Sequence, residues 1–258
     1  MRTDRPSLLG VSDHPGGARL LTLTRPDKKN AFNIRLAVAL RDALAAAEAD
    51  DAVRCILLTG SGGVFSAGAD MATFAGRDDG DPADLPLLAG LHRPLLECRK
   101  PLVALVNGPA IGMGVTLLPY FDIAWAGAAA TFATPFVRLG IVVEFAASWT
   151  LPRLIGRQRA AELLLRGTPI DAATAADWGL VARVLPDDHL LAEGLALAAD
   201  IGQGGPRAVR ETKRLLRAGE AEADREAQLL AELEVLATCY GSEEHMAQVQ
   251  AFLERRRG

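Results

Sequence analysis

The sequence is poor in cysteine and arranges what it has without chemical purpose. Its three cysteines, Cys55, Cys98 and Cys239, are far apart and show no metal-ligand spacing. An odd number without a disulfide framework suits a reducing compartment. Histidine is scarce too. His14, His92, His189 and His245 pair with no nucleophile motif, so no catalytic histidine is expected. No stretch reaches the roughly 18 uninterrupted apolar residues of a membrane span, and Met1 to Gly10 lack the apolar core of a secretion signal. A basic excess is also missing. The net charge is −4 and the isoelectric point about 5.6, whereas nucleic-acid binding needs a basic face. A cytoplasmic protein with no metal, nucleic acid or membrane partner is expected.

What is present is an ordinary globular composition, half hydrophobic and 23% charged over 258 residues. That length fits one large domain, or a domain with a small appendage. In the first half, short apolar runs alternate with helical patterns. Strands are expected at 19–23, 53–59, 101–106 and 122–126. Helices are expected at 34–49, 70–75, 87–98 and 112–120. Residues 76–86, acidic and rich in Gly and Pro, read as a mobile loop. This alternation defines an α/β class with mostly parallel pairing. The second half reads as helical at 144–154, 157–166, 171–178, 189–201, 207–217, 221–240 and 243–256, with one late strand at 181–185. Pro152 is expected to bend or end the first of these helices.

Two glycine-rich segments fall where strands pass into helices: Val64–Met71 (VFSAGADM) and Asn107–Gly114 (NGPAIGMG). N–H groups at a helix start have no partner within the helix and can bind an anion. Two of them converging on one oxygen form an oxyanion hole, with each donor worth roughly 3–4 kcal/mol. Glycine lets a ligand approach the backbone closely. From one such loop alone, a tight turn is the simpler explanation.

Three segments together are more specific. Arg25–Asn33 (RPDKKNAFN), Phe65–Asp70 (FSAGAD) and Asn107–Gly114 resemble, in order and spacing, the signature segments of the crotonase (enoyl-CoA hydratase/isomerase) family. Phe121–Ala124, Leu154–Gly156 and Ala175–Val181 extend the resemblance over nearly the whole chain. It implies a crotonase-like spiral of β-β-α units over 1–195 and a C-terminal helical trimerisation region over 196–258, hence a homotrimer or hexamer. It implies an acyl-CoA thioester substrate, with coenzyme A entering as part of the substrate and no separate cofactor. The Ala69 and Met113 N–H groups match the two oxyanion donors. Methionine at 113, where the family usually has glycine, raises the question of how closely an acyl group can pass. Lys28, Lys29, Ala67 and Met71 match positions that contact CoA, and Gly112 adjoins the second donor. Asp70 reads as a cap holding its loop. Phe252 and Arg255–Arg257 resemble a C-terminal helix that can reach CoA; a solvated basic tail explains them equally well.

The acid/base residues choose the reaction. Hydratases of the family carry two glutamates, and Thr116 and Phe136 stand near their positions here. Neither side chain can deprotonate water. One carboxylate remains in the region, Glu144, set among apolar residues that oppose its charge and at an expected helix start that favours it. The resemblance is nearest to the Δ3,Δ2-enoyl-CoA isomerase branch, in NGPAIGMGVTLL (107–118), TFATPFVRLG (131–140) and the position of Glu144 itself. Val143 departs from the proline often found before that glutamate. The resemblance therefore implies that Glu144 carries a proton from C2 to C4 of a 3-enoyl-CoA. Two alternatives stay open: a hydratase or thioesterase in which Glu144 activates water, and a non-catalytic CoA- or RNA-binding relative.

Overall fold

The computed structural model describes residues 7–74, 80, 81, 83, 86, 88, 90–218, 229, 230, 233, 234, 237 and 240–254. The expected loop at 76–86 and helix at 221–240 lie largely outside this set. Cys239, the Arg255–Arg257 cluster and the Phe252 side chain also lie outside it.

The centre is a six-stranded sheet in the order β1-β2-β3-β4-β6-β9. Its strands are β1 (Leu9–His14), β2 (Ala18–Leu23), β3 (Cys55–Gly60), β4 (Leu102–Val106), β6 (Ile123–Gly127) and β9 (Arg183–Leu185). From β2 onward all pairings are parallel; β1 alone runs antiparallel, against β2. β3 and β4 are buried at every residue, as expected for parallel strands covered on both faces. Their side chains alternate between two cores. Ile56, Leu58, Leu102, Ala104 and Val106 join the larger core with Phe32, Leu36, Leu40 and Phe132. Cys55, Leu57, Val103 and Leu105 join the smaller one with Leu20, Trp125, Leu190 and Ala198.

Helix α1 (Ile34–Ala49) covers the larger core. Asn33 caps it, its Oδ1 accepting from the Leu36 N–H at 3.0 Å, and Ile34, Leu36, Ala37, Leu40, Leu44 and Ala47 form the buried face. Among the later helices, Leu190–Gln203 covers the smaller core through Leu190 and Ala198, so the division drawn at 195 falls within it. The next helix, Pro206–Ala218, is tied down by Asp122. Asp122 Oδ2 accepts from Lys213 Nζ and from the Leu102 N–H, both at 2.7 Å. Among the described residues, no helix is long and apolar enough to cross a membrane.

Three features differ from the expectations. β1 (LGVSDH) carries few apolar residues because it is a half-exposed edge strand. A second sheet joins β5 (Ala110–Ile111), β7 (Thr131–Ala133) and β8 (Ile170–Asp171) in strands too short for any periodicity to show. The single helix expected over 112–120 is a short α-helix, Met113–Thr116, followed by a 3-10 turn, Leu118–Tyr120. Pro119 lacks the N–H that would continue the α-helical ladder.

Candidate active site

The three signature segments are knit together by hydrogen bonds from the Asn30 and Ser66 side chains and from their own backbones. Asn30, fully buried with φ +54°, accepts from the Arg25 N–H at 2.9 Å through Oδ1. Its amide donates to the Ser61 and Val64 carbonyls at 2.9 and 2.7 Å. Ser66 Oγ donates to the Asn30 carbonyl at 2.9 Å and accepts from the Gly68 N–H at 3.1 Å. Ser66 N–H donates to the Pro109 carbonyl, and Ile111 N–H returns a bond to the Ser66 carbonyl. The first segment therefore holds the second, and the second holds the third.

This knitting packs the Gly68 backbone against Ile111 and Met113. Gly68 has φ +86°, and a Cβ there would lie 2.6 Å from the Ile111 oxygen and 3.3 Å from the Met113 nitrogen. Only glycine satisfies both constraints. Gly112 (φ 55°, ψ −116°) turns the chain into the Met113–Thr116 helix. Their neighbours are engaged: Gly68 N–H with Ser66 Oγ, Asp70 N–H with the Phe32 carbonyl, Gly112 N–H with the Ala133 carbonyl. Among the described residues, neither Ala69 nor Met113 donates its N–H to a protein acceptor. Both residues line one cavity of about 600 Å³, a size suited to a small-molecule site. Met113 is 2% exposed and belongs to the larger core, which is how the loop accommodates a large side chain at this position.

Asp70 lines the cavity but is engaged twice. It pairs with Arg25 Nη2 at 2.6 Å, and its Oδ1 caps the short helix Met71–Phe74 by accepting from the Ala72 N–H at 2.9 Å. Arg25 also donates to the Ala31 carbonyl. The pair braces the loop behind Ala69.

Glu144 lines the same cavity. The helix expected to begin at Glu144 begins at Ala147 and runs through Pro152 to Ile155. Phe145 (φ +57°) and Ala146 (φ +51°) intervene, both left-handed. Left-handed backbone costs a non-glycine residue roughly 1–2 kcal/mol, so packing must hold it. The Tyr120 hydroxyl donates to the Phe145 carbonyl at 2.6 Å. The buried Phe145 ring meets His92 edge-on at 5.7 Å and Tyr120 at 6.3 Å. Behind the carboxylate, Thr116 Oγ1 lies 3.5 Å from Glu144 Oε1.

Of the residues singled out from sequence, Lys28, Lys29, Ala67, Ala69, Asp70, Met71, Gly112, Met113, Phe136 and Glu144 all line this cavity. Thr116 does not; it is fully buried behind Glu144. The Phe136 ring stands over Gly112, with its Cζ 3.8 Å from where a Gly112 Cβ would be. Leu139, Ile141, Gly167, Pro169 and Tyr240 also line the cavity, and the sequence reading missed them because no motif marks them. A second cleft, of about 700 Å³, runs along Pro206–Ala218. Of its six cations, Arg99, Arg210, Lys213, Arg214 and Arg217 are paired with Glu48, Asp51, Asp122, Glu211 and Asp122. Burial pushes the Cys55 and Cys98 thiols up to about 12 and about 11, so neither is a thiolate nucleophile.

Residues 14–258 match the enoyl-CoA hydratase/isomerase family model. The chain is 36% identical over 211 residues to the rat enoyl-CoA delta isomerase 2, covering 80% of this chain and 54% of that protein. It is 34% identical over 244 residues to the Escherichia coli 2,3-dehydroadipyl-CoA hydratase, covering 92% of each. The crystal structure of an enoyl-CoA hydratase/isomerase from Pseudoalteromonas atlantica T6c superposes with a TM-score of 0.89 at 38% identity, over 96% of this chain and 97% of that one. The chain belongs to the enoyl-CoA hydratase/isomerase family of the crotonase superfamily and has its α/β fold. It spans about half the length of the delta isomerase it matches.

Proposed function

We propose that this protein isomerises a 3-enoyl-CoA thioester to the conjugated 2-enoyl-CoA. The observation that carries the reading is the state of the cavity's carboxylates. Asp70 is committed to Arg25 and to its helix cap, and Asp27 sits on the exposed turn beside Lys28. Among the described residues, Glu144 lines the cavity together with Ala69 and Met113, and the Thr116 hydroxyl lies 3.5 Å from its Oε1.

The thioester oxygen sits between the N–H groups of Ala69 and Met113. Glu144 takes a proton from C2, and the electron pair passes through the carbonyl to that oxygen as a dienolate. The two donors stabilise the charge where it develops. Glu144 then returns the proton to C4, moving the double bond from C3–C4 to C2–C3. One carboxylate suffices because the proton leaves and returns on one face. Lys28, Lys29, Ala67 and Met71 meet the CoA portion at the open end, and Phe136 walls the acyl end.

The similarity to a hydratase over 92% of both chains favours a second reading, in which Glu144 activates water for addition to a 2-enoyl-CoA. Incubation with 3-enoyl-CoA and 2-enoyl-CoA separately tests the two. Conjugation of the first without hydration of the second is expected; rapid hydration of the second overturns the isomerase reading. A trimer, or a hexamer of two trimers, is part of the proposal. The exposed Leu216, Leu230, Leu233 and Met246 on the C-terminal helices support it. A cytoplasmic location is also part of the proposal, supported by the cysteine usage.

A further inference from the structure

One wall of the cavity comes from the far end of the chain. Tyr240 lines it together with Glu144, Phe136 and Leu139. The segment carrying Tyr240 is held by His245, in the first turn of the helix Glu243–Glu254. His245 is 3% exposed. Its Nδ1 lies 2.9 Å from the Leu139 carbonyl oxygen, its N–H donates to Ser242 Oγ at 3.2 Å, and its ring lies 5.2 Å from the Tyr240 ring. Leu139 lines the cavity itself, so this contact fastens Tyr240 to the wall on which it acts.

We propose that Tyr240 is a positioning residue for Glu144, its phenol O–H serving the carboxylate from across the cavity while Thr116 serves it from behind. The proposal rests on the reading of Glu144 as the base. Burial, and after it the nearby charge of Glu144, push the Tyr240 hydroxyl above its usual value. The phenol is therefore a neutral donor near neutral pH. Of the other polar and titratable groups around Glu144, Asp70 is paired with Arg25, and Asp27, Lys28 and Lys29 stand on the exposed turn. His245 is turned to the Leu139 carbonyl. A neutral donor beside a carboxylate favours its charged form, the form needed to take the C2 proton.

The test is steady-state kinetics with 3-hexenoyl-CoA across pH, for the full chain and for Tyr240→Phe, Tyr240→Ala and Glu144→Ala. Tyr240→Phe is expected to lower kcat about tenfold or more, with KM within about twofold, by analogy with other hydrogen bonds to charged groups. The acid limb of its kcat/KM profile moves to higher pH by about half a unit or more, because the lost donor favours protonated Glu144. An unchanged melting temperature separates this from unfolding. If Tyr240→Phe matches the parent in kcat and acid limb while only Tyr240→Ala alters acyl-chain preference, Tyr240 is a steric wall and the proposal is overturned. Turnover by Glu144→Ala would instead overturn the reading of the base. An inactive Glu144→Ala beside an unaffected Tyr240→Phe overturns this inference alone.

Discussion

The Thr116 hydroxyl lies 3.5 Å from Glu144 Oε1, so the residue near one hydratase glutamate position touches the carboxylate that is present. If Glu144 is the base proposed above, Thr116 supports it. At the outer limit of hydrogen-bond length its contribution is about 1 kcal/mol. Thr116→Val, nearly the same volume at a fully buried site, is expected to lower kcat about fivefold with KM little changed. Thr116→Ser restores the hydroxyl and most of the rate. Equal kcat for the valine and serine variants would remove Thr116 from the mechanism.

Glu144→Ala is expected to reduce isomerisation by about 10²–10⁴-fold, the usual contribution of a positioned proton-transfer group. Binding of CoA, measured by calorimetry, should survive, because the residues proposed to meet CoA, Lys28, Lys29, Ala67 and Met71, come from other segments of the cavity lining. Retained turnover would move the base elsewhere.

The left-handed pair after Glu144 predicts two opposite stability effects. Tyr120→Phe strands the buried Phe145 carbonyl and should cost about 1–3 kcal/mol. Ala146→Gly relieves its left-handed strain, about 1–2 kcal/mol, against the added freedom of glycine in the unfolded chain. The net is expected near zero or slightly stabilising. Urea denaturation of both variants measures this; a large loss for Ala146→Gly would show that Ala146 is not strained.

Away from the site, Glu48 predicts an acid-limb effect. Burial works against its charge, but the Arg99 side chain, the Lys100 and Arg99 N–H groups and the Cys98 thiol outweigh it. Its carboxyl is therefore held below the usual 4.5. Between the folded value and 4.5 the unfolded chain binds more protons. This stabilisation is thus full above 4.5 and is lost as pH falls through the folded value. Glu48→Gln should flatten the acid limb of a stability–pH curve measured by thermal denaturation. A parallel curve displaced at all pH values would contradict the sign.

The sequence made some of this legible for clear reasons. β3 and β4 are buried on both faces, so they appear as unbroken apolar runs. Helix α1 shows the spacing of a one-sided face. The glycine loops stood out because Gly68 is required where two backbones nearly touch and Gly112 where φ is positive. Other features are set by contacts remote in sequence. β1 and the small second sheet gain their pairing from neighbours, not from their own pattern. The late start of the helix after Glu144 depends on Tyr120 and Phe145. Tyr240 reaches the cavity through His245 and Leu139, and no local signal records it.

The chain contains only two tyrosines. One holds the carbonyl of Phe145 and the other lines the cavity with Glu144. A fluorine label introduced as fluorotyrosine would therefore yield two resonances, both arising beside a single loop. Ligand titrations followed by such a spectrum would observe the surroundings of Glu144 without signals from the rest of the molecule.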